Sequence, residues 1–125
     1  MEWEFISREV LADLHAESLR LFGGATGIRD ENLVESALAA AENTFWYGQG
    51  DLFDIAAAYA FHIAQNQAFL DGNKRTGLAA AFTFLRLNGI IASPDQAALY
   101  DAMLAIAEKR LDKAGLAARF RELFA

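Results

Sequence analysis

The stretch of this chain richest in reactive side chains is Phe69-Leu70-Asp71-Gly72-Asn73-Lys74-Arg75-Thr76, where an acid, an amide and two adjacent bases sit between two apolar segments of helical character. Gly72 permits a tight turn and lets a ligand come close to the backbone. A helix starting just after it would offer its free N–H groups and the positive end of its dipole to an anion. Lys74 and Arg75 fall in that same first turn. Bases there are unfavourable to the dipole unless an anion compensates them, and this local misfit points to a phosphate site. Asp71 beside a bound phosphate is a natural Mg²⁺ ligand, because Mg²⁺ is held by one or two carboxylates together with phosphate oxygens. The residues alone therefore read as a helix N-terminus that takes a metal-bound phosphate. They fit a plainer account as well, with Asp71 an ordinary N-cap and Lys74 and Arg75 a solvated face.

Other reactive residues are more scattered. His15 and His62 lie on apolar helical faces and read as hydrogen-bonded core histidines. Arg29, Asp30 and Glu35 read as turn and cap chemistry, and Phe45-Trp46-Tyr47 as either core or a flap beside a groove.

The elements that must carry these residues follow from apolar periodicity and punctuation. Ser7 can cap a first helix with Val10, Leu11, Leu14, Ser18 and Leu21 on one face, and Gly23-Gly24 ends it. Gly27 marks a second turn. Asp30 can cap a second helix bearing Leu33, Val34, Ala37, Leu38 and Ala41. Asn43–Asp51 reads as a loop with room for a short hairpin, and Trp3–Ile6 as an extended, β-prone opening. A third helix from about Leu52 to Gln67 is apolar on most sides and should be the central, buried one. The fourth begins near Gly72 and ends at Asn88-Gly89. Ser93-Pro94 opens a fifth that runs to about Lys109, and Asp112 caps a sixth bearing Leu116, Phe120, Leu123 and Phe124. The expected fold is all-α, a compact six-helix bundle with at most a short flap hairpin.

Composition narrows the function classes. The chain has 125 residues, one domain's worth, and no Pro/Ser-rich linker or repeat divides it. Hydrophobic residues make up 54% and charged residues 22%, which excludes disorder. The absence of cysteine removes disulfide scaffolds, cysteine-based metal sites and thiol nucleophiles. A net charge of −6 argues against broad nucleic-acid binding. The longest apolar runs, Ile55–Phe61 and Leu78–Leu85, are too short to span a bilayer, and the acidic Met1-Glu2-Trp3-Glu4 lacks the basic region of a secretory signal. A cytoplasmic protein with no membrane contact is expected.

Phe69-x-Asp71-Gly72-Asn73-Lys74-Arg75 resembles the core motif of the Fic/Doc family, His-x-Phe-x-Asp/Glu-Gly/Ala-Asn-Gly/Lys-Arg. Leu14-His15, Gly23-Gly24 with Gly27-x-Arg29-Asp30, Glu35-Ser36-Ala37 and Phe84-Leu85-x-Leu87-Asn88-Gly89 are similar to the Doc toxin branch, so the likeness runs from about Ile6 to Gly89. It implies a helical bundle with the motif joining two central helices. Fic-type members transfer AMP from ATP to a protein hydroxyl. The Doc branch binds ATP the other way round and phosphorylates a hydroxyl of translation elongation factor Tu. Its members are toxins, and a Phd-type antitoxin covers their groove. By this resemblance Asp71 holds Mg²⁺, Gly72 and Asn73 belong to an anion nest, and Lys74 and Arg75 contact the phosphates of ATP. Lys74, where AMP-transferring members carry glycine, favours the Doc branch. Arg86 falls where Doc-like proteins carry a further basic residue for the nucleotide.

One position departs from the pattern. The motif histidine, general base of the family, belongs four residues before Asp71, and Gln67 stands there. Glutamine can hydrogen-bond to an attacking hydroxyl but cannot take its proton. Losing a positioned base costs about 10²–10⁴ in rate. Gln67 is either a natural inactive variant or an engineered or selected change, since an active toxin kills the cell that makes it; the intact remainder of the motif favours the second. The expectation is a Doc-like kinase, inactive as written. The alternatives are a Fic-type AMP transferase and a non-catalytic module that binds nucleotide or antitoxin.

Overall fold

A computed structural model of the chain describes residues 3–48 and 50–125. Six helices follow one another: α1 (Arg8–Phe22), α2 (Glu31–Gly48), α3 (Leu52–Asn66), α4 (Asn73–Leu87), α5 (Gln96–Ala107) and α6 (Lys113–Leu123). There is no strand among the described residues; one isolated antiparallel bridge joins Ile28 to Phe69. The all-α expectation holds.

α3 is the axis of the bundle and packs against α2, α4, α5 and α6. Every residue from Ile55 to Ala60 is buried. Its run of alanines lets neighbouring helices come close, most of all α4, where a Cβ added to Gly77 would lie 2.8 Å from the carbonyl oxygen of Ala60. Tyr59 is the polar exception in this stretch. Its hydroxyl accepts the Ile6 N–H at 2.9 Å and so ties the extended N-terminal segment to the core. Burial raises the Tyr59 pKa far above its ordinary value, against the opposing bond from Ile6.

Most caps follow the sequence. Ser7 accepts from Val10 N–H, Asp30 from Asn32 N–H and Asp112 from Gly115 N–H. Asp51 and Asp54 form a reciprocal capping box on α3, and Arg121 of α6 donates to both carboxylates.

Three expectations are corrected. The segment from Asn43 to Gly48 is not a loop, nor does it form a hairpin: α2 continues through it. Phe45 packs on Trp3 and Phe5, with ring centroids 5.2 and 5.6 Å away, and this burial outweighs the weak helix propensity of the aromatic run. Gln49, which the loop expectation included, lies outside the described residues, as do Met1 and Glu2. The fifth helix is capped by Asp95, which accepts from Ala97 and Ala98 N–H, so Ser93 and Pro94 precede the helix instead of opening it. The third helix stops at Asn66, one residue short of Gln67.

Candidate active site

The end of α3, the loop 67–72 and the start of α4 form one wall of a cleft of about 560 Å³. Gln67, Asp71, Asn73, Lys74 and Arg75 line it, and Tyr100 and Lys109 face them from the α5 side. The volume is within the range of about 300–1,000 Å³ common for small-molecule sites.

Gln67 is the C-cap of α3 and adopts left-handed geometry, φ 50° and ψ 48°. The chain reverses there, and the loop is then pinned to the α1–α2 connection. Arg29 and Asp30 N–H both donate to Ala68 O, at 2.7 and 3.1 Å, and Leu70 N–H donates to Gly27 O at 3.1 Å. The Arg29 guanidinium bonds Gln67 O at 2.7 Å and Asn66 O at 3.0 Å. Asn73 closes the loop from the other end, accepting Phe69 N–H at 3.1 Å and donating to Phe69 O at 3.0 Å. Its side chain is thus committed to the turn, and what it offers a ligand is its backbone N–H.

Gly72 caps α4 in left-handed geometry without any side-chain bond, so the first-turn N–H groups of α4 lack a side-chain cap. Asp71 is not the N-cap that the plainer account required. Its Oδ2 accepts Ala25 N–H at 3.0 Å, and its backbone oxygen accepts from His15 Nε2 at 2.8 Å. A carbonyl only accepts, so the His15 proton sits on Nε2. The His15 ring is buried and stacks on Phe69 with centroids 3.8 Å apart. The hydrogen-bonded core reading of His15 is borne out, and the group it holds is the motif loop itself.

The first turn of α4 holds no acid and two bases. Lys74 is exposed. Arg75 Nε donates to Ser18 Oγ at 3.2 Å and its Nη2 to Gly23 O at 3.3 Å, with the guanidinium 5.0 Å from the centre of the Phe22 ring. The C-terminal end of α1 therefore holds Arg75 at the cleft edge. Arg86 is not brought to the cleft. It lies in the last turn of α4, about 18 Å along the axis from Lys74 at about 1.5 Å per residue, beside Phe82.

Among the described residues no three His, Cys, Asp or Glu side chains gather into a metal site. Asp71 is the one carboxylate among the described residues that line the cleft. One carboxylate fits a Mg²⁺ ion shared with phosphate and water, not a metal held by protein alone. His62 takes no part. It is half-buried, its Nε2 is 3.2 Å from Lys113 Nζ, and burial and then the Lys113 charge push its pKa below the ordinary value. Arg29 and Asp30 do perform cap and turn chemistry, and Glu35 pairs with Arg8 at 3.6 Å. Of the aromatic group, Phe45 is half-buried and packs against the core, whereas Trp46 and Tyr47 are exposed and do not line the cleft. Sequence reasoning missed Ser18, Gly23 O and Ala25 N–H as partners of the site. Gly23-Gly24 and Gly27 announced a turn, but nothing in the sequence said what it would pair with.

Residues 5–85 match the Fic/DOC family. The chain is 40% identical over 95 residues to Toxin Doc of Mycolicibacterium smegmatis, covering 74% of this chain and 70% of that protein. It is 32% identical over 120 residues to Protein kinase doc of Escherichia phage P1, covering 95% of this chain and 94% of that one.

Proposed function

The chain belongs to the Fic/Doc family, on its Doc branch, and from that premise we propose that it is a Doc-like toxin of a toxin–antitoxin pair whose site is built to move phosphate from ATP to a protein hydroxyl. The observation that carries this reading is the cleft at the start of α4. There the first turn lacks a side-chain cap and holds two bases, with Asp71 fixed beside it from two sides. In the proposed complex the first-turn N–H groups, Lys74 and Arg75 bind the ATP phosphates, and Asp71 holds Mg²⁺. The target is a serine or threonine hydroxyl on elongation factor Tu, and a Phd-like antitoxin covers the cleft. Lys74 in the motif favours phosphate transfer over AMP transfer.

As written, the chain binds but does not turn over, because Gln67 lines the cleft where the family carries its base. That residue also favours a second reading, a module retained for binding nucleotide or antitoxin alone.

The experiment is Gln67→His, expressed with and without antitoxin and assayed with ATP labelled at the γ or the α phosphate. Restoring the base should raise transfer by about 10²–10⁴, place γ label on elongation factor Tu and make expression toxic unless antitoxin is present. α label on a protein would support AMP transfer. If the variant stays harmless and transfers neither label, the binding module stands.

A further inference from the structure

The connection between α1 and α2 does more than link them, and its most consequential residue is Arg29. The last carbonyls of a helix have no partner within it, and they carry the negative end of the dipole. Where α3 ends, Arg29 takes three consecutive carbonyls, that of the last helical residue, that of the C-cap and that of the residue after it. The Arg29 guanidinium bridges Asn66 O and Gln67 O, and its backbone N–H takes Ala68 O. A planar guanidinium can span two carbonyls with a fixed fork, which a lysine ammonium cannot reproduce.

The clamp closes on a strained residue. Gln67 is one of two non-glycine residues with positive φ among those described, the other being Lys109. Left-handed geometry is unfavourable for a residue with a Cβ and persists when its surroundings over-determine it. The same geometry turns the Gln67 side chain into the cleft wall instead of continuing α3. Asp71 and Arg75 are held by other groups: Asp71 by His15 and the Ala25 N–H, Arg75 by Ser18 and Gly23 O.

We propose that Arg29 is a positioning residue: by bonding the Asn66 and Gln67 carbonyls it fixes the left-handed turn at residue 67, and so sets where a side chain at that position points in the cleft. The catalytic consequence rests on the proposed function. A base must come within about 3 Å of the hydroxyl it deprotonates, and a misplacement of about 1 Å can cost about 10²-fold. Binding of ATP should not depend on the clamp, because Asp71 and Arg75 are held by partners other than Arg29.

Two measurements test this. In the chain as it stands, the φ-sensitive Cα and carbonyl chemical shifts of Gln67 should leave left-handed values in Arg29→Ala and move part of the way in Arg29→Lys. In the Gln67→His background, Arg29→Ala should lower kcat about 10- to 100-fold with KM for ATP unchanged within about twofold, and Arg29→Lys should recover part of the loss. Unchanged Gln67 shifts overturn the proposal. So does an unchanged kcat, or a loss that falls on KM alone. Should Gln67→His itself transfer no label, the kinase reading fails, and the shifts of Arg29→Ala and Arg29→Lys decide the clamp by themselves. Since Arg29 is exposed, both variants should fold; if Arg29→Ala does not, Arg29→Lys carries both measurements.

Discussion

Thr76, in the first turns of α4, is fully buried, and its hydroxyl is the one buried side-chain polar atom among the described residues without a hydrogen-bond partner. An unpaired buried hydroxyl costs about 1–3 kcal/mol, and a methyl of the same shape does not. Thr76→Val should therefore keep the packing and raise stability by up to about 1 kcal/mol, a gain of a few degrees in Tm, read by thermal or denaturant melting. A loss of more than about 1 kcal/mol would mean that the hydroxyl has a partner in solution. Thr76 carried no signal in the sequence, because whether a hydroxyl is satisfied depends on three-dimensional surroundings. The same holds across the site. Asp71, Lys74 and Arg75 were legible as residue types at a helix start, since their chemistry and spacing are local. What holds them was not legible: His15 reaches the motif loop from 56 residues away, and Ser18 reaches Arg75 from 57. Gln67 shows the limit from the other side. Its identity was read from the motif, but its left-handed C-cap geometry contradicts the assignment of residue 67 to the end of a helix. Arg86 lies outside the cleft lining because it sits in the last turn of α4, at the opposite end of that helix from Lys74 and Arg75.

At the scale of elements, the contact between α3 and α4 sets the cleft, because the motif loop hangs between their ends. Gly77 lets the two backbones meet, with the Ala60 carbonyl oxygen 2.8 Å and the Ala60 Cα 3.4 Å from where a Cβ would stand. Backbone cannot give way as a side-chain tip can. Gly77→Ala gains about 1 kcal/mol of helix propensity and loses more to overpacking, which costs typically about 1–3 kcal/mol. A net destabilisation of about 1–2 kcal/mol is expected, with weaker nucleotide binding as α4 is wedged off α3. Melting of the variant at least as high as the parent would show that the helices separate without cost. Helices with uninterrupted apolar periodicity and side-chain caps, α1, α3 and α6, were legible in the sequence. The end of α2 was not. Its aromatic run and following glycines look like a loop locally, and the packing of Phe45 against Trp3 and Phe5, about 40 residues earlier in the chain, favours helix there. The start of α5 was misplaced because two capping residues, Ser93 and Asp95, flank the same proline, and the carboxylate of Asp95 is the one that meets the first N–H groups.

For the whole molecule, charge is distributed against its sum. The chain carries 17 acids and 11 bases, yet Lys74, Arg75 and Lys109 line the cleft beside a single carboxylate among the described residues. Low-dielectric walls around such basic side chains concentrate the field at the cleft, where an anion would gain from it. Acidity also bears on stability, in two separate windows. Asp51 meets an unfavourable effect of burial, but its bonds from Arg121 and Asp54 outweigh that and leave its pKa below the ordinary 3.8. Its contribution is complete above that value and is lost as pH falls through the folded one. His62 acts earlier. Burial, and then the charge of Lys113, hold its pKa below the ordinary 6.5. The unfolded chain therefore takes up the proton first as pH falls. The folded state is favoured fully above 6.5 and progressively less between 6.5 and the lower folded value. The thermal midpoint should accordingly drop between pH 8 and 5.5, a range that stays above the isoelectric point of 4.8, where association would confuse the reading. His62→Gln removes the titrating group and should flatten the profile over that range. Lys113→Ala removes the second cause, raises the folded pKa of His62 and should make the drop shallower. If the parent and His62→Gln lose the same number of degrees over that range, the acid sensitivity belongs to other groups and His62 is not its source.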